Sequence, residues 1–594
     1  MTPSDVQATF CATLLDEWCR SGVKDAVVCP GSRSTPLALA IAAETRLTMH
    51  VILDERSAAF FAIGIARVTG RPALLLCTSG TAAVEFHSAV VEAHLDHVPM
   101  IVVTADRPPE LHGIGAPQTV DQNHLYGRSV RAFFEPGVAE SATSSTWRSL
   151  ACRSLLAATR GAYGPGPVHL NLAFREPLVG VARRLPQGRA NGEPWHTAED
   201  EKTAHGHLSG DAMKRLSTRL SGRRGVLVAG AASGDAAALH GLAAALGWPL
   251  LADPRSGARS AAAGSLTVAH ADAILRSAKM SKTLRPDVVV RFGTPWASKV
   301  LQQWLATIPD DVLVDPHHAW LDPNRASSVS LAVDPSALCR SLIGLVEPAP
   351  NSWLSAWANA DSASRRALSV SLDRVDATVT EPAIVRTFSR EIPSGSSVVL
   401  SSSMPIRDLE WYAGDRSDVM FLSNRGANGI DGVVSTALGA ASGSDGPTFA
   451  LVGDLAFLHD AGALVLAAQH RANCTLVVID NAGGGIFEFL PQATAVERKR
   501  FEALYGTPQT ADIVRLAQAH GLKTSTPKTL RALSSSIKKS SKETGVSVIV
   551  MRTDRQQNVL VHDELNSAVV RAVEAIEEID ATQATKAVRS TKRK

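Results

Sequence analysis

The stretch Phe449–Gly485, FALVGDLAFLHDAGALVLAAQHRANCTLVVIDNAGGG, decides the fold. Its runs Phe449–Val452 and Thr475–Ile479 are apolar throughout, as expected of parallel strands buried on both faces. The first ends in Gly453-Asp454-Leu455-Ala456-Phe457, the second in Asp480-Asn481-Ala482-Gly483-Gly484-Gly485. An Ala/Leu-rich stretch between them completes a βαβ unit. Both loops then fall at the C-terminal ends of parallel strands, where doubly wound sheets bind ligands. Asp454 offers a carboxylate, Asn481 an amide oxygen and Gly483 an unobstructed carbonyl. Such oxygen donors suit Mg²⁺, which shares its octahedral shell with phosphate oxygens and water. The glycines also allow close backbone approach. A lone Gly-Asp says little; two such loops one βα unit apart, each after a strand, are specific.

The same alternation extends outward. Strands are expected at Ala26–Cys29, Ala73–Cys77, Met100–Thr104, Gly225–Ala229, Val288–Arg291, Val312–Val314, Ser397–Leu400 and Val546–Met551, with helical stretches between them. That pattern predicts α/β architecture with largely parallel, doubly wound sheets. Two shifts in composition divide the 594 residues. The polar Pro/Gly segment 182–206 reads as a linker, and Val346–Asn351, VEPAPN, as a second break. The expected blocks are 1–181, 207–345 and 352–579, followed by a basic disordered tail over 580–594.

With 45% hydrophobic and 20% charged residues, the chain is globular in composition. Its net charge of +3, from 60 basic and 57 acidic residues, gives no reason to expect nucleic acid as a partner. The longest notable uncharged run, Ala236–Ala252, is broken by His240, two glycines and Pro249, so no membrane span is expected. Seven scattered cysteines without CxxC spacing, and no signal-peptide pattern at the N-terminus, predict reduced thiols and a cytoplasmic protein.

In block one, Asp54-Glu55-Arg56-Ser57 opens a helix after the strand-like HVIL. Ala58, Ala62 and Ala66 give that helix a narrow face. Thr69-Gly70-Arg71-Pro72, the loop Thr78-Ser79-Gly80-Thr81 and a helix over 84–94 ending near Asp96 and Pro99 follow in order. This succession resembles the pyrimidine-binding domain of thiamine-diphosphate enzymes. The Gly453/Asp454…Asn481 pair resembles their metal and diphosphate motif, with Leu455 where glycine is usual. Cys29-Pro30-Gly31-Ser32-Arg33-Ser34-Thr35-Pro36-Leu37, Thr104-Ala105-Asp106-Arg107-Pro108-Pro109, Ser423–Gly432 (SNRGANGIDG) and Gly483–Pro491 (GGGIFEFLP) narrow the likeness. They resemble the 2-succinyl-5-enolpyruvyl-6-hydroxy-3-cyclohexene-1-carboxylate synthases of menaquinone biosynthesis.

The resemblance implies thiamine-diphosphate-dependent decarboxylation of 2-oxoglutarate and 1,4-addition of the succinyl carbanion equivalent to isochorismate. It implies that Glu55 meets N1′ of the aminopyrimidine, and that Ile430 is the apolar prop under the bent cofactor. Gly453, Asp454, Asn481 and Gly483 would hold diphosphate and Mg²⁺, with Mn²⁺ as the alternative. Ser32, Arg33, Arg107 and Gln118 would face isochorismate. Ser403, Arg407 and Arg425 would face the 2-oxoglutarate-derived part, and Phe487 and Leu490 would supply an apolar wall. Lys299 carries over from block two, where the family's Lys-Arg pair is here Lys299-Val300. The two dicarboxylate substrates that the resemblance implies would call for several forked guanidinium groups, which these arginines can supply. Block two has GVLVAGAASG at Gly225–Gly234 but no GxGxxG, so it reads as a Rossmann-like structural domain. The arginine set and Leu455 speak against a generic 2-oxo-acid decarboxylase, and Glu55, Asp454 and Asn481 against an inactive scaffold. The resemblance further implies a homodimer or dimer of dimers with active sites at the subunit interface, and the alanine face of the Glu55 helix is then expected to meet a second copy.

Overall fold

The computed structural model describes residues 1–161, 163–197, 208–260, 265–374 and 378–591, with side chains to 576. Every expected strand is present, to within a residue or two at each end. Block one contributes β1 (Asp25–Val28), β2 (Thr48–Val51), β3 (Ala73–Cys77), β4 (Met100–Asp106), β5 (Phe133–Phe134) and β6 (Pro167–Ala173). Block two contributes β7 (Gly225–Ala229), β8 (Leu250–Ala252), β9 (Thr267–Val268), β10 (Val288–Phe292), β11 (Asp311–Val314) and β12 (Val329–Leu331). Block three contributes β13 (Ser397–Leu400), β14 (Met420–Ser423), β15 (Thr448–Gly453), β16 (Cys474–Asp480), β17 (Lys523–Ser525) and β18 (Val546–Arg552).

Each block forms one six-stranded sheet, in the orders β2-β1-β3-β4-β6-β5, β12-β11-β10-β7-β8-β9 and β14-β13-β15-β16-β18-β17. The pairings are parallel; β15 and β16, for example, run in register from Thr448↔Cys474 to Gly453↔Ile479. The first and third sheets share one topology. In each, the strand order reverses beside the block's first strand, which opens a crevice at the C-terminal strand ends. The loops carrying Arg33, Ser79, Arg107, Ser403, Arg425, Asp454 and Asn481 leave the sheets at those ends. The middle sheet has the Rossmann order, as its sequence suggests.

Blocks one and three share a single apolar core. The helix Glu55–Thr69 lies against the helix Val433–Gly443 so closely that backbone meets backbone. A Cβ added at Gly64 would stand 2.1 Å from the Thr436 carbonyl oxygen, and one at Gly439 would stand 1.9 Å from that of Phe61. Ala58, Ala62 and Ala66 are buried within the one chain. This corrects the expectation that their face meets a second copy. The helix expected over 84–94 is two, Thr81–Glu85 and His87–Leu95, parted at Phe86.

The linker 182–206 is strapped to block one as far as it is described. Arg183 pairs with Asp5 at 2.8 Å, and Arg148 donates to the Pro186 carbonyl at 2.8 and 3.0 Å. The helix Asn351–Leu372, after the second break, leans on block two: Trp353 Nε1 donates to the Gly225 carbonyl at 2.8 Å. The last helix spans Arg555–Thr591. Side chains from 577 and residues 592–594 lie outside the described residues; the backbone of the tail expected to be disordered over 580–594 continues this helix as far as Thr591. All seven cysteines are buried and unpaired. Among the described residues no helix is long and apolar enough to cross a membrane.

Candidate active site

Asp454 opens the short helix Asp454–His459 directly after β15, with Gly453 at its N-cap. Its Oδ1 accepts from the Leu455 N–H at 2.8 Å and its Oδ2 from the Gly483 N–H at 2.7 Å. Burial pushes this carboxyl up to about 6. Asn481 donates through Nδ2 to Glu381 Oε1 at 2.8 Å, while its Oδ1 is buried without a partner. An orphaned buried amide oxygen beside a desolvated carboxylate is the donor set a hard cation completes. Gly483, at φ +139°, leaves no room for a side chain: a Cβ there would lie 2.1 Å from the Gly506 carbonyl oxygen. The residues present therefore fit a divalent cation with a diphosphate.

Glu55 is the first residue of its helix, next to the N-cap Asp54, whose carboxylate accepts from the Ser57 N–H at 2.9 Å. Glu55 is half-buried, and desolvation raises its pKa, aided by the neighbouring Asp54 and Glu85 charges. The helix start touches block three of the same chain, since Arg56 donates to the His459 carbonyl at 3.0 Å. Ile430 is 36% exposed, so it is no core isoleucine. Phe487 packs its ring 5.6 Å from that of Tyr505, and Leu490 is exposed nearby.

The arginines form two groups. In block one, Arg33 is buried and donates to the Phe174 carbonyl at 2.9 Å and Glu176 at 3.1 Å. Arg107 reaches Ser79 Oγ and the Pro117 carbonyl. Gln118, at φ +55°, donates to the Ser79 carbonyl at 3.0 Å. Burial and the Arg33 charge lower the pKa of Arg107. Ser32 is exposed beside them. In block three, burial followed by the Arg255 and Arg407 charges lowers Arg425. Ser403, at φ +76°, holds a backbone conformation rare for a side-chain-bearing residue, and its carbonyl accepts from Arg407 at 2.5 Å. Lys299 is exposed at the start of the helix Lys299–Leu305. The preceding segment is tied to the Arg407 helix, because Ala297 donates its N–H to Glu410 at 2.9 Å. The charges acting on Arg107 all belong to block one, and those acting on Arg407 and Arg425 to blocks two and three.

Sequence reasoning missed the supports. Asn171 and Gln122 form a buried network under the Ser79 loop: Gln122 Oε1 accepts from the Gly80 N–H at 2.9 Å, and Asn171 donates to Asp106 at 2.8 Å. Arg255, paired with Asp253 at 2.6 Å, brings a further guanidinium up to Arg425. Polar residues inside strand-like runs were the available signal for the first group. Arg255 carries no local signal.

Three family models match the chain. They describe the thiamine pyrophosphate enzyme N-terminal TPP-binding domain over 10–125, the middle domain of thiamine pyrophosphate over 183–398, and the C-terminal TPP-binding domain over 415–551. Among solved structures, benzoylformate decarboxylase from Polynucleobacter necessarius superposes with a TM-score of 0.66 at 17% identity, over 92% of this chain and 99% of that one. That likeness shows the fold. The three family models, which together cover most of the chain, define a thiamine-diphosphate enzyme. A 2-succinyl-5-enolpyruvyl-6-hydroxy-3-cyclohexene-1-carboxylate synthase of Listeria innocua is 38% identical over 96% of this chain and 98% of its own length. One of Thermobifida fusca is 40% identical over 96% of this chain and 100% of its own. The chain belongs to the family of these synthases.

Proposed function

We propose that the chain carries out its family's reaction in menaquinone biosynthesis, joining 2-oxoglutarate, with loss of CO₂, to isochorismate. Thiamine diphosphate, when bound, supplies the electron sink that turns a decarboxylating 2-oxo acid into a carbon nucleophile. Asp454, the Asn481 amide oxygen and the Gly483 carbonyl would hold a Mg²⁺ or Mn²⁺ ion and, with Gly453, the diphosphate. Ile430 would prop the cofactor from below. Glu55 would supply a proton to the pyrimidine ring nitrogen, a task suited to a carboxyl whose pKa is raised by burial. Arg33 and Arg107, with Ser32 and Gln118, bind the isochorismate carboxylates. Arg407 and Arg425, with Ser403 and Lys299, bind those of 2-oxoglutarate, while Phe487 and Leu490 exclude water. Seven unpaired thiols suit a reducing compartment, so we assign the enzyme to the cytoplasm.

The observation that carries this reading is the pair of arginine groups, Arg33 and Arg107 in loops after β1 and β4, and Arg407 and Arg425 after β13 and β14. It also favours a homodimer, or a dimer of dimers, in which block one of one copy faces block three of another. Val51 and Leu53, just before Glu55, are 54% and 73% exposed and would be covered there.

The test is to incubate the protein with thiamine diphosphate, Mg²⁺, 2-oxoglutarate and isochorismate, and identify the product by mass spectrometry. We expect the adduct of both substrates less CO₂. Equal consumption of 2-oxoglutarate without isochorismate, giving only succinic semialdehyde, would make the protein a simple decarboxylase.

A further inference from the structure

Glu92 lies in the helix His87–Leu95 of block one, and it is 1% exposed. Its carboxylate does not serve its own block alone. Oε1 accepts from the Gly426 N–H at 2.9 Å, and Oε2 from the N–H groups of Ala427 and Asn428 at 2.7 and 2.9 Å. Three successive backbone donors of block three thus converge on one buried anion, which is the geometry of a backbone nest. Arg67 of the Glu55–Thr69 helix donates to Oε1 at 3.1 Å and also pairs with Asp96, so the carboxylate is itself held in place. The loop comes in close: a Cβ on Gly426 would stand 2.7 Å from the Glu92 carbonyl oxygen and 3.1 Å from the Asp96 nitrogen.

The clasped residues sit between Arg425 and Ile430. We propose that Glu92 is a positioning residue: by fixing Gly426–Asn428 it sets where the adjoining Arg425 stands. This rests on the reading above, in which Arg425 binds 2-oxoglutarate. A charged acceptor shared by three backbone donors is strong and directional, and no other acceptor of the same reach replaces it. A carboxamide of nearly the same shape presents one oxygen where two were needed and turns an N–H₂ toward donors. Glu92→Gln therefore loosens the loop without opening a cavity. Gly426→Ala attacks the same contact from the other side and leaves Glu92 intact.

The experiment uses the holoenzyme, the two variants, Arg425→Ala and the Glu92→Gln/Arg425→Ala double variant. Hydrogen exchange of the peptide covering 424–432 reads the clasp. Steady-state kinetics read its consequence. In both clasp variants exchange in that peptide should speed up by about tenfold, with the rest of block three unchanged. The KM for 2-oxoglutarate should rise by about tenfold while that for isochorismate stays within about twofold. Adding Glu92→Gln to Arg425→Ala should cost little more, since both act through one side chain. Unchanged exchange in both variants overturns the proposal. So does a loss shared equally by the two KM values, which marks a merely structural staple. An Arg425→Ala protein with a normal 2-oxoglutarate KM overturns the substrate assignment instead, a result separable from the exchange rates.

Discussion

Asp454 turns both oxygens toward backbone N–H groups, and burial lifts its carboxyl from 3.8 to about 6. Between those values the folded chain keeps a proton that the unfolded chain releases. The metal-free protein therefore loses stability as pH rises through that window. A bound cation reverses the preference. We expect the rise in Tm on adding Mg²⁺ to be large above about pH 6 and to fade below it. A calorimetric series across that pH range decides the matter, and a Mg²⁺ response retained in Asp454→Ala would remove Asp454 from the cation site. For Glu55→Gln, folding and Tm should stay near the parent's, because the corner position tolerates an isostere. Turnover should fall on the order of 10²–10⁴-fold, the range for a positioned acid or base; near-normal turnover would exclude Glu55 from the chemistry. The placement of Asp454 and Asn481 after strands and of Glu55 at a helix start was legible in the sequence, because each stands inside a local pattern. Glu92 was not, because its partners lie 334 to 336 positions away and its neighbours read as an ordinary helix.

At the scale of elements, the long apolar runs were legible because burial on both faces leaves them no polar positions. β6 was missed because His169 and Asn171 interrupt it. Both are buried, and they are tolerated there because His169 pairs with Thr104 at 2.8 Å and Asn171 with Gln122 and Asp106. Edge strands such as β5, β12 and β17 are short and partly exposed, and they carry almost no pattern. Nor does local sequence reveal that the helices Glu55–Thr69 and Val433–Gly443 touch. Gly439→Ala tests that seam. Helix propensity alone favours alanine by about 0.8–1 kcal/mol. The new methyl, however, would meet a backbone carbonyl at 1.9 Å, and backbone cannot swing aside as a side chain does. Overpacking of this kind costs about 1–3 kcal/mol, so the variant should unfold at lower urea. Gly414→Ala, where an added Cβ meets nothing, is the control and should unfold with the parent.

Taken whole, the molecule repeats one sheet topology in blocks one and three, and with it two sets of loops at the C-terminal strand ends. The way the blocks seal together was not legible in the sequence. If each site joins block one of one copy to block three of another, two dead variants can rescue each other. Mixing Glu55→Gln with Asp454→Ala protein under subunit exchange should restore about a quarter of parental activity, because half the random dimers hold one intact site. Silence after demonstrated exchange would place each site within a single chain. The glycine seam also bears on inheritance. Where main chains touch directly there are no side chains to repack, so a mismatched pair of helices has nothing to adjust. The segments around Gly64 and Gly439 are distant in the gene, yet they form one unit of exchange. Hybrids built from two relatives should survive when both segments come from the same parent, and fail when a crossover divides them.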